Sequence, residues 1–193
     1  MTARHRLLQG VLLAALLTAA PAVAGPFKGW FVTGSKPAEY DFGKEHVTGS
    51  AGAYSAFIHA KLAKPTGFGT LMQEIAADNY RGKRLRLSAR LKSADANRAQ
   101  LWLRIDGTDR SKSLAFYNMD DRAVTGTSDW KRYDLVLDVP DNAVGVAFGF
   151  FLDGKGEAWA DDFKLEVVDA SVPVSIQPNP SLSKEPVNLN FDQ

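Results

Sequence analysis

The sequence predicts an all-β protein built as an antiparallel β-sandwich, and three observations predict it. Short runs alternate apolar and polar residues with the two-residue period of a strand packed on one face. Turn-forming residues separate these runs. Beyond the first 24 residues, no stretch repeats with the 3.6-residue period of an amphipathic helix.

The runs can be justified in order. Residues 54–60 and 69–77 read as strands with weak alternation. In 84–92, Leu85, Leu87, Ala89 and Leu91 take one phase, while Arg84, Arg86, Ser88, Arg90 and Lys92 take the other. In 100–106, Leu101, Leu103 and Ile105 alternate with Trp102, Arg104 and Asp106. Tyr133, Leu135, Leu137 and Val139 set another strand, which Pro140 ends. Val144, Val146 and Phe148 set the next, with small residues in the opposite phase. Trp159, Asp161, Phe163, Leu165 and Val167 set the last of the series. Asp106-Gly107, Thr125-Gly126-Thr127, Pro140-Asp141-Asn142 and Asp153-Gly154-Lys155-Gly156 supply turn chemistry between them. Several short strands punctuated in this way argue for a sandwich.

Composition narrows the function. The chain has 193 residues, 23 Lys plus Arg and 22 Asp plus Glu, giving a formal net charge of +1. A near-neutral chain lacks the electrostatic footprint of a nucleic-acid binder. With no cysteine, disulfides, thiolate zinc sites and thiol catalysis are excluded. Residues 1–24 read as a secretory signal peptide. Arg4, His5 and Arg6 precede a mostly apolar stretch, and Ala22-Val23-Ala24 is a small-x-small cleavage site. The apolar stretch is short for a membrane span, so cleavage after Ala24 and a periplasmic or secreted protein with no membrane span are expected. The expected organisation is a leader over 1–24, a sandwich domain over 25–169 and a tail over 170–193. Four prolines make that tail extended, and Pro186-Val187-Asn188-Leu189-Asn190-Phe191-Asp192 reads as a final edge strand.

Several motifs recur in one order. They are Gly29-Trp30, Gln73, Tyr80-Arg81-Gly82-Lys83, Trp130 after a Thr/Ser turn, Pro140, and Trp159-Ala160-Asp161-Asp162-Phe163. Together they resemble the galactose-binding-like jelly-roll domains, specifically carbohydrate-binding modules of families four, nine and twenty-two. The resemblance covers roughly residues 29–168. Sequences closest to this pattern often carry the label of AraC-type transcriptional regulator, yet no helix-turn-helix pattern is visible. The resemblance implies a jelly roll, a carbohydrate ligand, and a structural calcium held by an Asp of the closing strand. Asp161 is that Asp, with Glu39, Asp41 and Glu45 as early partners; the alternative is an Asp satisfied by backbone N–H groups. Such modules usually begin with an Asn-Leu-x-Phe-Glu strand, and the tail strand at 188–192 is a candidate replacement for it.

The residues themselves propose a ligand site. Trp102 shares a phase with Arg104 and Asp106, an aromatic ring beside hydrogen-bonding charges, which is what a sugar ring requires. Gln73 and Tyr117 join them if their strands are neighbours. Trp30, Trp130 and Trp159 are expected in the core, and Asp162 in solvent. The basic stripe Arg84, Arg86, Arg90 and Lys92 is either a solvated face paired with acids or a surface for an anionic polymer. No hydrolase, metalloprotease or phosphate-loop motif occurs. The expected function is therefore an exported, non-catalytic carbohydrate-binding domain. The alternative is an envelope accessory domain with a protein partner.

Overall fold

The computed structural model describes residues 23–176. Most of the leader and the proposed last strand at 186–192 lie outside the described residues. Ten strands are present: β1 (Val23–Ala24), β2 (Phe31–Thr33), β3 (Tyr40–Glu45), β4 (Ser55–Ala60), β5 (Phe68–Ala76), β6 (Lys83–Asp106), β7 (Ser113–Tyr117), β8 (Val124–Val139), β9 (Gly145–Asp153) and β10 (Glu157–Val168). Helical structure among the described residues is limited to two three-residue 3-10 turns, Pro37–Glu39 and Asp120–Arg122.

All strand pairs are antiparallel, and β6 organises them. Its first half pairs with β8 on one side and β10 on the other, and its second half pairs with β9 and β7. Two sheets result. The first runs β8–β6–β10–β4–β3, and the second runs β7–β6–β9–β5–β2–β1. Where the alternation predicts two strands, 84–92 and 100–106, the chain forms one strand of 24 residues that passes from sheet to sheet. Between the two halves the β8 register shifts repeatedly, and Asp95 has φ 48°. Bulges of this kind bend a strand and break its alternation, so residues 93–99 carry no readable period.

The core lies between the sheets. Leu85, Leu87, Ala89 and Leu91 of the first half of β6 and Leu101, Leu103 and Ile105 of the second are fully or almost fully buried. Leu71, Phe148 and Phe150 join the same cluster. Each such side chain contributes roughly 1.5–3 kcal/mol through burial. Trp30 packs edge-on against Phe148 and Phe163, at ring-centroid distances of 6.2 and 5.1 Å. Tyr40 is buried beneath the loops, with its hydroxyl against the carbonyls of Gly67 and Gly154, and burial pushes its pKa up to about 12.

Two aromatic expectations are corrected. A bulge between Asp161 and Lys164, with Asp162 at φ 51°, changes the phase of β10. Before it, Ala158 and Ala160 point inward and Trp159 pairs with outward-facing Lys92; after it, Phe163 and Leu165 point inward. Trp159 and Asp161 therefore lie on the outer face of the first sheet, not in the core. Trp130 is also outside the core. Its indole N–H donates to the Thr48 carbonyl at 3.0 Å, and the Arg90 guanidinium lies 5.3 Å from its ring.

The expected cleavage point falls at the end of β1. Val23 and Ala24 pair with Val32 and Phe31, so cleavage after Ala24 would remove β1 and leave β2 as the sheet edge. At the other terminus, Arg84 grips the chain as it leaves β10. Its guanidinium pairs with Asp138 at 2.7 Å and donates to the carbonyls of Ala170 and Val172.

One glycine in the second sheet cannot carry a side chain. A Cβ on Gly149 would sit 2.1 Å from the Leu71 carbonyl oxygen on β5. The substitution Gly149→Ala is expected to lower stability by about 1–3 kcal/mol, read as a reduced midpoint in urea unfolding.

Candidate functional site

The parity of β6 defines an outer face on the second sheet. Because Leu101, Leu103 and Ile105 point inward, Gln100, Trp102, Arg104 and Asp106 point outward. Across on β9 stand Phe151, Gly149, Ala147 and Gly145. Beyond them on β5 stand Thr70, Met72, Glu74 and Ala76. On the other side of β6, Phe116 of β7 lies opposite Arg104.

Trp102 is opposite Gly149, and its indole N–H donates to the Thr70 hydroxyl at 3.0 Å, two strands away. The indole thus reaches across β9 to β5. The Thr70 hydroxyl in turn donates a hydrogen bond to the Phe150 carbonyl at 2.8 Å. Next along β6, the Arg104 guanidinium grips the Asp106 carboxylate, with Nε 2.9 Å from Oδ1 and Nη2 2.9 Å from Oδ2. The same guanidinium lies 5.8 Å from the Trp102 ring. Asp106 is buried and its charge is matched, the condition under which a buried carboxylate is tolerated.

The structure thus brings Trp102, Arg104 and Asp106 together. It does not leave Trp102 as a free platform, because only 7% of that residue is exposed. The exposed aromatic is Phe116, at 41%, with Leu114 at 38% two residues away on the same strand. Sequence reasoning passed over Phe116 in favour of its neighbour Tyr117. The alternation of 113–117 was the available signal, since adjacent residues of a strand face opposite ways.

Gln73 and Tyr117 do not join this face. Gln73 lies opposite core-facing Phe148, so it points away from the outer face, and β9 separates its strand from β6. Tyr117 lies opposite Leu103 and is buried. Its hydroxyl donates to Asp121 at 2.6 Å and accepts from Arg122 Nε at 3.0 Å. Burial first, and then the Asp121 carboxylate, push that hydroxyl's pKa up. It fastens the turn after β7.

At one end of the face, Arg110 from the loop after β6 reaches Glu74 on β5 at 2.7 Å, with Gly145 of β9 on the strand between. The Glu74 carboxylate stands over Gly145, 3.5 Å from where a Cβ would be. At the other end, Gln100 donates to the Asn118 carbonyl and to Asp120, while Arg98 donates to Gln100 and Asp120.

Asp161, the candidate calcium ligand, holds a loop. Its Oδ2 accepts the backbone N–H groups of Ala51 (2.6 Å) and Gly52 (3.3 Å), and its Oδ1 accepts that of Asp162 (2.7 Å). Glu39, Asp41 and Glu45 are engaged elsewhere, with Thr66, Lys61 and the Trp159 indole. Among the described residues, no group of three or more His, Cys, Asp or Glu side chains gathers to hold a metal ion. The residues present do not fit a calcium site built on Asp161. Arg90 and Trp130 grip the same loop, through the carbonyls of Gly49 and Thr48.

Three of the four basic residues of the stripe pair with acids, and Arg90 is held by the Gly49 carbonyl and the Trp130 ring. Arg84 meets Asp138, Arg86 meets Glu166 at 3.1 Å and Lys92 meets Asp129 at 3.3 Å. Asp162, expected in solvent, pairs with Arg132. The stripe is a face of matched charges, not an open cationic surface.

No protein-family model matches the chain. The chain is 39% identical over 169 residues to YbfP of Bacillus subtilis (strain 168), described as an uncharacterized HTH-type transcriptional regulator. That match takes in 86% of this chain and 57% of YbfP, so the chain spans little more than half of the curated relative's length. Among solved structures, the CBM22-1 xylan-binding domain of Paenibacillus barcinonensis Xyn10C is similar at a TM-score of 0.51 and 12% identity. The similarity covers 77% of this chain and 91% of that one. The Stig cyclase FisC of Fischerella sp. TAU is similar at a TM-score of 0.54 and 12% identity, over 80% of this chain and 90% of that one.

The fold is the jelly roll of carbohydrate-binding modules. It holds no helix pair among the described residues, so the part of YbfP's name that refers to a helix-turn-helix has no counterpart there.

Replacing Asp161 with Ala strips an acceptor from three backbone N–H groups. The expected cost is about 1–3 kcal/mol, the scale for leaving such groups unmade. A lowered Tm in Asp161→Ala, with no Tm change on adding a chelator to the unaltered protein, checks the assignment.

Proposed function

We propose that this chain is a non-catalytic carbohydrate-binding module, with the outer face of the second sheet as its binding surface. One observation carries the reading. An exposed aromatic, Phe116, stands beside a preorganised ion pair, Arg104–Asp106, on a sheet face whose floor is the Trp102 indole. A pyranose has an apolar face and a rim of hydroxyls. Phe116 meets the first by stacking, and the guanidinium and carboxylate meet the second with charge-assisted hydrogen bonds. The salt bridge fixes both groups before the ligand arrives, so little ordering entropy is lost on binding.

Several features support binding rather than chemistry. The arginines and carboxylates around Trp102 neutralise one another. Neither histidine among the described residues lies on this face: His59 stacks on Phe57 and His46 packs at a tilt on Tyr54, each at 4.2 Å between ring centroids. Export rests on the leader's positive start, apolar stretch and small-residue cleavage site. Fold likeness to a xylan-binding domain favours a polysaccharide ligand by analogy.

The identity with YbfP favours a second reading, in which the same face is the ligand-sensing part of a regulator-like protein. The two readings share the site and differ in what it controls. An envelope protein partner would use the apolar strip of Leu114 and Phe116 instead.

The test is a glycan array, with xylo-oligosaccharides included, probed with the protein and with Phe116→Ala. Losing one stacking contact of about 0.5–1.5 kcal/mol is expected to weaken binding about three- to tenfold at unchanged Tm. Binding that ignores Phe116 moves the site elsewhere, and a blank array favours the protein-partner reading.

A further inference from the structure

The second sheet's outer face contains one charged side chain that pairs with nothing among the described residues. Asp153 is the last residue of β9 and points outward, in phase with Phe151. Arg98 on β6 lies directly opposite it. That arginine is spent elsewhere: its Nε donates to Gln100 at 3.1 Å, and its Nη2 donates to the Asp120 carboxylate at 2.8 Å. On the other flank, Phe68 of β5 lies opposite Asp153 and offers no hydrogen bond. The rings of Phe68 and of Phe151, two residues before Asp153 on the same face, pack on each other with centroids 5.5 Å apart. The other charged residues of the face differ. Arg104 holds Asp106, Arg110 holds Glu74 and Arg98 holds Asp120.

An acid whose neighbours on the face include two phenyl rings, and whose facing arginine hydrogen-bonds elsewhere, costs free energy when ionised. Burial pushes its pKa up, Arg98 draws it down in part, and Asp120 adds to the rise. A ligand hydroxyl brought against the carboxylate would gain a short, strong hydrogen bond.

We propose that Asp153 is the polar anchor for a hydroxyl-bearing ring that packs on Phe68 and Phe151, a second contact zone at the opposite end of the face from Phe116. This rests on the carbohydrate reading and deepens it. The two zones lie on different strands and at different ends of the sheet, so the ligand they suit is an oligomer of rings rather than a single sugar.

The experiment has two readouts. The first needs no ligand: Tm of the protein and of Asp153→Asn across pH. A carboxyl whose folded pKa is raised is unfavourable once ionised and costs nothing below its ordinary value of about 3.9. The variant is expected to gain Tm relative to the original as pH rises through the raised pKa, and to lose that gain in acid. The second readout is affinity for the array glycan that the unaltered protein retains, starting with xylo-oligosaccharides. Asp153→Leu, which cannot hydrogen-bond, is expected to bind about tenfold more weakly, the loss of one charge-assisted hydrogen bond. Equal affinity in that variant overturns the proposal and leaves the carbohydrate reading standing. A Tm for Asp153→Asn that falls below the original at neutral pH shows a structural partner and also overturns it. An unaltered protein that binds no glycan overturns both.

Discussion

The continuity of β6 is the constraint on which the other elements depend. One strand of 24 residues belongs to both sheets, so β8, β10, β9 and β7 all take their register from it. A register is two-sided: moving it by one residue would send every leucine of that half to solvent. The leucines on both halves of β6 therefore fix more than their own burial. By pointing inward, Leu101, Leu103 and Ile105 decide that Trp102, Arg104 and Asp106 share the outer face. The candidate site follows from the core pattern on the opposite side of the same strand.

Where the alternation is regular, the sequence was readable, and where a bulge intervenes it was not. Residues 84–92, 100–106 and 133–139 lie in strands with the inward phase that their leucines indicate. In β10 the spacing of Trp159, Asp161, Phe163 and Leu165 suggests one face, yet the extra residue at Asp162 splits it in two. A positive φ at an Asp leaves only a weak trace in composition, because Asp tolerates that conformation better than most residues. The strands β2, β3 and β7 were missed for a simpler reason. They are short, and Gly43 interrupts the alternation of β3. The same limit hid Phe116, while Trp102, Arg104 and Asp106 were legible because β6 is long and regular around them.

Burial changed the meaning of residues whose position was read correctly. Trp102 faces outward, but its indole reaches across β9 to hydrogen-bond Thr70 on β5 and is almost fully buried. Sequence alone does not show that β9 lies between those two strands. The threonine and the tryptophan are 32 positions apart, and only the β5–β9–β6 order joins them. Asp161 is similar. Its carboxylate is needed, but the three donors that need it are backbone N–H groups in a loop more than 100 residues away and in its own neighbour.

Both outer faces carry many charges, and almost all are paired within the face. On the first sheet, arginines and a lysine meet carboxylates on adjacent strands, and Arg132 of β8 reaches Asp162 of β10 across β6. Such exposed pairs contribute little to stability, about 0–1 kcal/mol each, but they cancel the long-range field that would draw an anionic polymer. On the second sheet the same cancellation leaves recognition to aromatic surface and fixed hydrogen-bonding groups. Those forces act only at contact, so a ligand is selected by the shape of its rings and the placement of its hydroxyls rather than by its net charge. A chain with 23 basic and 22 acidic residues arranged in this way is suited to an uncharged partner. Asp153 departs from this pattern of pairing, on the face that also holds Phe116, Arg104 and Asp106.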